Sequence, residues 1–414
     1  MEFKETKIGL VPKDWEVKKL REIGKLVGGG TPSTKNAAYW RGDIPWISSS
    51  DLIENSITYI NIHKFINEEA IKQSATKLIP KNSILIVSRV GVGKIAINKT
   101  KLCTSQDFQS FIPQIDINIT YLAYYLHKNI KQLMRLNQGT SIKGITKKDI
   151  ENFLIPIPPL KEQQKIAKIL LTCDEMIEKQ EKLIKEKEKL RKGLMQKLLN
   201  VELRVEGGEL KKLPKVRFKE FSGEWVKKKL REVLKERKEY SKKSNNIPHL
   251  TLSKDGIFPK TEQFNRDFLV VTEDKKYKIT YLNDICYNPA NLKFGVIGRN
   301  KYGKGIFSPI YVTFEVYNAN PIFIEYVVTS DDFISKALKY QEGTVYERMA
   351  VKPDDLLKLS IFIPPTLEEQ EKIADVLSTL DKEIDLLKLE LEEFKKLKKS
   401  LMQKLLTGKV RVRV

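Results

Sequence analysis

The sequence predicts an α+β protein written twice. It has two mixed α/β domains separated by two long helices, which form an antiparallel coiled coil with an internal pseudo-two-fold repeat. Three observations carry this. The hexapeptide Leu194-Met-Gln-Lys-Leu-Leu199 recurs unchanged as Leu401-Met-Gln-Lys-Leu-Leu406, 207 residues on in a chain of 414. Each copy ends a proline-free stretch of about 40 residues with helical spacing, a rod of about 60 Å at 1.5 Å per residue. Each half also opens alike, Asp14-Trp15-Glu-Val-Lys-Lys-Leu-Arg-Glu22 against Glu224-Trp225-Val-Lys-Lys-Lys-Leu-Arg-Glu232.

The helices follow from periodicity. In the second copy Ile373, Leu380, Leu387, Phe394 and Leu401 step by seven, with Leu377, Ile384 and Leu391 at the alternate step. The first copy offers Ile169, Met176, Leu183 and Leu190, flanked by Leu170, Ile177 and Ile184, with Gln180 and Lys187 as interruptions. Glu162, Glu368 and Glu369 open the helices and Lys197 and Lys404 close them, as the helix dipole prefers. The surrounding block is copied as well: Pro158-Pro159 with Pro364-Pro365, Gln163 with Gln370, and Asp174 with Asp381. Two rods in one chain meet at high effective concentration and pair.

The boundaries follow in order: a first domain over 1–158, a helix over 159–200 and a charged linker over 201–222 around Glu206-Gly-Gly-Glu209. A second domain spans 223–365, a second helix 366–407 and a tail 408–414. Trp15 and Trp225 read as aromatic anchors for a segment covering each domain's edge. In the first domain Ile44–Ile47, Ile84–Ser88, Ile95–Ile97 and Ser110–Ile112 read as strands. Tyr121–Leu136 reads as a helix, and Ile155–Pro159 as extended because proline restricts the residue before it. The second domain is more weakly patterned. Tyr281–Tyr287, Gly295–Ile297 and Ile310–Val316 read as strands and Pro321–Leu338 as a helix.

Lys and Arg number 75 against 53 Asp and Glu, a net charge of +22 that points to a polyanionic partner. A thermostable, lysine-rich composition accounts for abundant charge but raises Glu together with Lys, so it explains the imbalance less well. The scattered cysteines Cys103, Cys173 and Cys286 fit a reducing cytoplasm. His63, His127 and His249 lie too far apart in sequence for a metal-ligand spacing, and neither a signal core nor a membrane-length apolar run is present.

Catalytic motifs are incomplete. Gly298-Arg-Asn-Lys-Tyr-Gly303-Lys304 begins like a phosphate-binding loop, but Gly305 replaces the required hydroxyl residue, and Gly91-Val-Gly93-Lys94 has the wrong spacing. Tyr287-Asn-Pro-Ala290 lacks the second proline of an adenine methyltransferase loop, and Asp14-x-Glu16-x-Lys18 has no counterpart in the repeat as a nuclease set. The glycines of Leu26–Gly30 follow no clear strand, as a cofactor loop would need.

The order of the remaining motifs is specific. Gly28-Gly-Gly-Thr-Pro-Ser, Ile44-Pro-Trp-Ile-Ser-Ser-Ser-Asp-Leu52, and Gly144-Ile-Thr-Lys-Lys-Asp-Ile through Ile155-Pro-Ile-Pro-Pro-Leu-Lys-Glu-Gln163 resemble the specificity subunit of type I restriction-modification enzymes, as do the tryptophan openings. The likeness covers nearly the whole chain, although no Ile-Pro-Trp-Ile-Ser occurs in the second half. The resemblance implies two target-recognition domains that read a bipartite double-stranded DNA sequence without catalysis. It implies as partners two methyltransferase subunits, which use S-adenosylmethionine, and restriction subunits, which use ATP and Mg. No cofactor is expected in this chain.

For DNA contacts, polar and basic loop residues are the natural base readers and phosphate clamps. The candidates in the first domain are Lys35, Tyr39, Arg41, Ser49, Ser50, Arg89, Lys94 and Gln106. In the second they are Lys254, Tyr287, Asn288, Asn291, Lys293, Arg299, Lys304, Tyr346 and Arg348. Charge alone leaves a structured-RNA-binding protein open, and a self-contained DNA-modifying enzyme is a further alternative.

Overall fold

The computed structural model describes residues 2–135, 144–242, 247–260, 276–342 and 349–413. Two helices dominate it, Leu160–Leu199 and Leu367–Leu405. The chain divides into two compact units, Met1–Lys182 with Leu389–Val414, and Leu183–Lys388. Each unit therefore holds one globular domain and a portion of both long helices.

In the first unit an antiparallel sheet runs in the order Gly24–Gly28, Phe108–Pro113, Ile84–Val87, Ile95–Ile97. Ile84–Val87 is buried throughout because its two faces serve two cores. Ile84 and Ile86 pack with Tyr121, Leu122, Leu126 and the long-helix residues Ile166 and Leu170. Leu85 and Val87 point the other way, toward Ile47, Leu102 and Phe108, as the two-residue period of a strand requires. The helix Ile119–Arg135 covers the first face. The second face meets a sheet ordered Lys64–Ile66, Ile44–Ile47, Leu102–Thr104, Leu78–Ile79. Glu16–Lys19 pairs antiparallel with Leu154–Ile157, so the chain entering the domain is clamped to the chain leaving it.

The second unit repeats this frame. Leu234–Glu236, Val312–Val316, Ile285–Tyr287 and Ile297–Arg299 form a sheet of the same order, and Val226–Lys229 pairs with Ser360–Ile363. Its other strands match in part. Tyr240–Ser241, Tyr277–Thr280 and Gly305–Phe307 form a three-stranded sheet, and the hairpin Leu250–Ser253 and Gly256–Pro259 is joined to it by the parallel bridge of His249 to Ile306.

Several expectations shift. The stretch 201–222 contains a β-hairpin, Val201–Glu206 with Glu209–Pro214. Gly207 and Gly208 turn it with φ of 64° and 84°, the positive pair a two-residue hairpin turn needs. Of the expected strand Tyr281–Tyr287 only Ile285–Tyr287 is a strand; 281–284 form a turn, with Asn283 at φ 73°, that follows a separate strand Tyr277–Thr280. Gly295–Ile297 moves to Ile297–Arg299, because Gly295 caps the preceding turn. Pro321–Leu338 breaks into Pro321–Val328 and Asp331–Ala337, where the Ser330 side chain accepts from Phe333 N–H as a new helix cap.

The largest correction concerns the first long helix. Met176, Leu183 and Leu190 are exposed, while Ile166, Leu170, Cys173, Gln180 and Ile184 are buried. Ile169 is only partly buried against the first core. Gln180 and Lys187, read as interruptions, belong to the pairing face: Gln180 donates to Glu390 at 2.9 Å, and Lys187 pairs with Glu383 at 2.6 Å. Leucine spacing alone misplaced the stripe because polar residues complete it. On the second helix Ile373, Leu377, Leu380, Ile384 and Leu391 are buried, and Leu387, Phe394 and Leu401 are half-buried.

The helices run antiparallel in each unit. In the first, Glu181 meets Lys395 at 3.2 Å and the earlier Asp174 meets the later Lys398. In the second, Glu188 meets Lys388 at 2.7 Å and the later Arg191 meets the earlier Asp381.

Glu162 and Glu369 do more than face the helix dipole. Each is buried, and accepts from an opening tryptophan, Trp15 Nε1 at 3.1 Å and Trp225 Nε1 at 3.2 Å. Each also takes both prongs of an arginine, Arg411 and Arg217 respectively. The next residue is equally fixed. Gln163 accepts from Asn118 N–H and donates to the Pro158 carbonyl, as Gln370 does with Asn320 and Pro364. The repeated Glu-Gln thus ties the long helix to the domain's opening tryptophan and to the start of its late helix.

Candidate nucleic-acid interface

In the first domain a glycine-rich loop is pinned against the second sheet. A Cβ on Gly29 would lie 2.1 Å from the Ser105 carbonyl, so only glycine permits this approach. Trp46 donates to the Gly30 carbonyl at 3.0 Å, and Trp40 meets Trp46 edge-on with ring centres 5.0 Å apart. On this footing Lys35 and Arg41 are exposed, and Tyr39 is half-buried beside Trp40. Gln106 is exposed and bonded to the Thr31 hydroxyl, which joins two loops.

A second group forms around Ser48–Asp51. The Asp51 carboxylate accepts from Ser48 N–H at 2.7 Å and from the Ser48 hydroxyl at 2.9 Å, fixing a short turn. Ser49 is buried, and its carbonyl accepts from Lys94 Nζ at 3.0 Å. Ser50 and Arg89 stay exposed. Among the described residues Lys35, Arg41 and Arg89 have no carboxylate at ion-pair distance. Sequence reasoning missed Lys64, whose Nζ lies 5.7 Å from the Trp46 ring centre, and His63, 3.4 Å from Asp51. The basic pair beside an aromatic strand was the available signal.

The second domain treats its candidates differently. Tyr287 is fully buried, stacks on Phe314 and donates to the Val351 carbonyl at 2.9 Å, so it belongs to the core and cannot reach a base. Asn288 is buried and caps Ala290 N–H at 3.1 Å. Arg299 is held by Glu325 at 2.8 Å and Asn283 at 2.7 Å. These three are structural in this fold. Lys254, Asn291, Lys293 and Lys304 are exposed, with Lys293 over Phe294 and Lys304 over Tyr281. Tyr346 and Arg348 lie outside the described residues.

Gly298–Lys304 is a strand and turn. Asn300 donates to the Gly303 carbonyl and accepts from Tyr302 N–H, so no phosphate loop forms. Lys254, Arg299, Lys301 and Tyr302 line a groove of about 850 Å³ that also receives Glu325, Asp331, Asp332, Asp381 and Asp385. Its carboxylates offset its cations, which does not suit a polyanion.

None of the three cysteines is an activated nucleophile, since burial raises each thiol. Burial pushes the Cys103 thiol up to about 12 and the Cys286 thiol higher still. Among the described residues no cluster of His, Cys, Asp or Glu could hold a metal, and no helix is long and apolar enough to cross a membrane.

Comparison with known proteins agrees with this duplicated frame. The family described as type I restriction modification DNA specificity domain matches residues 12–188 and again 222–396. The chain belongs to this family of specificity subunits and carries its domain twice. A type I restriction enzyme specificity subunit, MjaIX, from Methanocaldococcus jannaschii is 43% identical over 188 residues, 44% of this chain and 43% of that protein. A second from the same organism, MjaVIII, is 29% identical over 99% of this chain and 96% of its own length. In fold the chain is similar to the crystal structure of the type I S subunit from M. genitalium, with TM-score 0.58, 15% identity, and coverage of 95% of this chain and 96% of that one.

Proposed function

We propose that this chain is the non-catalytic DNA reader of a type I restriction-modification assembly in the cytoplasm. Each globular domain reads one half of a bipartite duplex target, and the paired helices set the distance between the halves. Lys35, Tyr39, Arg41, Ser50, Arg89, Lys94 and Gln106 form the contact set of the first domain. Asn291, Lys293 and Lys304 form that of the second, whereas Lys254 lies in the groove whose carboxylates offset its charge. Exposed apolar positions left after helix pairing, among them Leu183, Leu190, Leu386 and Leu397, recruit two methyltransferase subunits, and restriction subunits join these. S-adenosylmethionine, ATP and Mg belong to those partners.

The observation that carries this reading is the duplication of one domain frame on one helix clasp, with carboxylate-free cations in the hydroxyl-rich loops of the first copy. A duplex has its own local two-fold, so a protein with a pseudo-two-fold can present one domain to each half-site.

The test is selection of bound sites from randomised duplex DNA by the full chain, followed by titration across salt. The expected result is two defined sequences around an undefined spacer, with affinity falling ~10³-fold or more from 50 to 200 mM salt if six or more phosphates are held. Tighter binding to structured RNA in competition would favour the rival class. Modification or cleavage of DNA by the lone chain would favour an enzyme.

A further inference from the structure

One polar arrangement occurs in both units and is explained neither by the apolar cores nor by the tryptophan clasps. In the first unit the Tyr124 hydroxyl donates to Asp174 at 2.5 Å, and Asp174 is paired with Lys398. In the second the Tyr326 hydroxyl donates to Asp381 at 2.7 Å, and Asp381 is paired with Arg191. The aspartates are 207 residues apart, and so are Arg191 and Lys398. Each cluster joins three segments: the domain's own late helix, the long helix that follows that domain, and the other long helix.

The geometry repeats in detail. Lys398 Nζ lies 5.6 Å from the Tyr124 ring centre, and Arg191 Cζ lies 5.9 Å from that of Tyr326. Tyr124 and Tyr326 are buried, and the ion pairs are at most about one-third exposed. Such pairs contribute little net stability compared with apolar packing of equal volume. They do impose direction, because a hydroxyl and a carboxylate bond along defined lines. Leucine contacts along a helix tolerate rotation and sliding. A tyrosine held by a carboxylate, itself held from the facing helix, does not.

We propose that Tyr124, Asp174 and Lys398, with Tyr326, Asp381 and Arg191, are positioning residues that fix the angle of each reading domain on its helices. They thereby determine how strictly the distance between half-sites is read. The inference rests on the bipartite reading above. Both cations serve because both can hold a carboxylate, although arginine's planar fork constrains direction more than the lysine ammonium.

The test applies the same duplex selection to the wild-type chain, to the double variant Tyr124→Phe with Tyr326→Phe, to Lys398→Met, and to Lys398→Arg. The phenylalanines keep ring packing and remove only the hydroxyls, while Lys398→Met keeps both hydroxyls and approaches the cluster from its other side. Wild type should select one dominant spacer length. In the double variant and in Lys398→Met, the preference for it over lengths one base pair different should fall about tenfold, equivalent to ~1.4 kcal/mol. The half-site sequences should stay as they were, and Lys398→Arg should keep the strict spacer. Unchanged spacer selection in a variant whose melting temperature has dropped would reduce the clusters to stabilisers and overturn the proposal. Loss of the half-site bases together with the spacer would also overturn it. A wild-type selection with no bipartite site would instead remove the reading on which the proposal stands.

Discussion

The sheet Gly24–Gly28, Phe108–Pro113, Ile84–Val87, Ile95–Ile97 of the first domain is matched in the second by Leu234–Glu236, Val312–Val316, Ile285–Tyr287, Ile297–Arg299. The flanking structure is matched only in part. In the first domain Leu102–Thr104 pairs antiparallel with Leu78–Ile79 and parallel with Ile44–Ile47, Cys103 opposite Trp46, while in the second Gly305–Phe307 pairs antiparallel with Tyr277–Thr280 and meets the hairpin segment only through a parallel bridge of Ile306 to His249. The side that meets the long helices repeats, down to Trp15 with Glu162 and Trp225 with Glu369. The side that carries the candidate contacts is matched less closely, with a three-stranded sheet and a hairpin in place of four paired strands.

The two clasps also differ in depth, which gives the largest expected effect. Arg217 and Glu369 are both nearly inaccessible, with side chains 8% and 1% exposed. Glu369→Ala strands a buried cation and should cost about 3–5 kcal/mol in a urea titration followed by tryptophan fluorescence. Arg411 is 26% exposed and keeps Asp14, so Glu162→Ala should cost less, about 1–3 kcal/mol. Equal losses would break the comparison.

A middle-sized effect separates the recognition sides. Replacing Lys35, Arg41 and Arg89 together with alanine should lower the salt slope of DNA binding by about 2–3. Folding should be unaffected, because these side chains are exposed. Tyr287→Phe should do the reverse. It loses one buried bond, about 1 kcal/mol of stability, and leaves the salt slope alone.

The smallest effect concerns pH. The hydrogen bond from Arg411 holds the Asp14 carboxyl below its usual value of 3.8. A depressed folded-state pKa contributes stability that is full above the unfolded value and disappears as pH falls through the folded one. The small advantage of Asp14 over Asp14→Asn should therefore persist at pH 5 and vanish only below the ordinary carboxylate range, as urea midpoints would show.

Much of the frame was legible because repetition exposes it. Trp15, Trp225, Glu162, Gln163 and their partners are marked by being written twice, although spacing gave no hint that the glutamates bind indoles and arginines. The first helix's pairing face was misjudged because Gln180 and Lys187 bury polar groups where a heptad reading expects leucine. The hairpin 201–214 was hidden by its charge, yet Val201, Leu203 and Val205 alternate ahead of Gly207-Gly208. In the second domain, composition cannot separate an exposed Asn291 from a buried Asn288 three residues earlier. Tyr287 looked like a reader because tyrosine suits both a core and a contact surface.

The proposed reading of DNA depends on the helix pair acting as the spacer between the two domains. Deleting one seven-residue repeat from each long helix, at facing positions, and repeating the duplex selection tests this. The expected result is a shorter spacer flanked by the same two half-site sequences. Recovery of the original spacer from the shortened protein would contradict it.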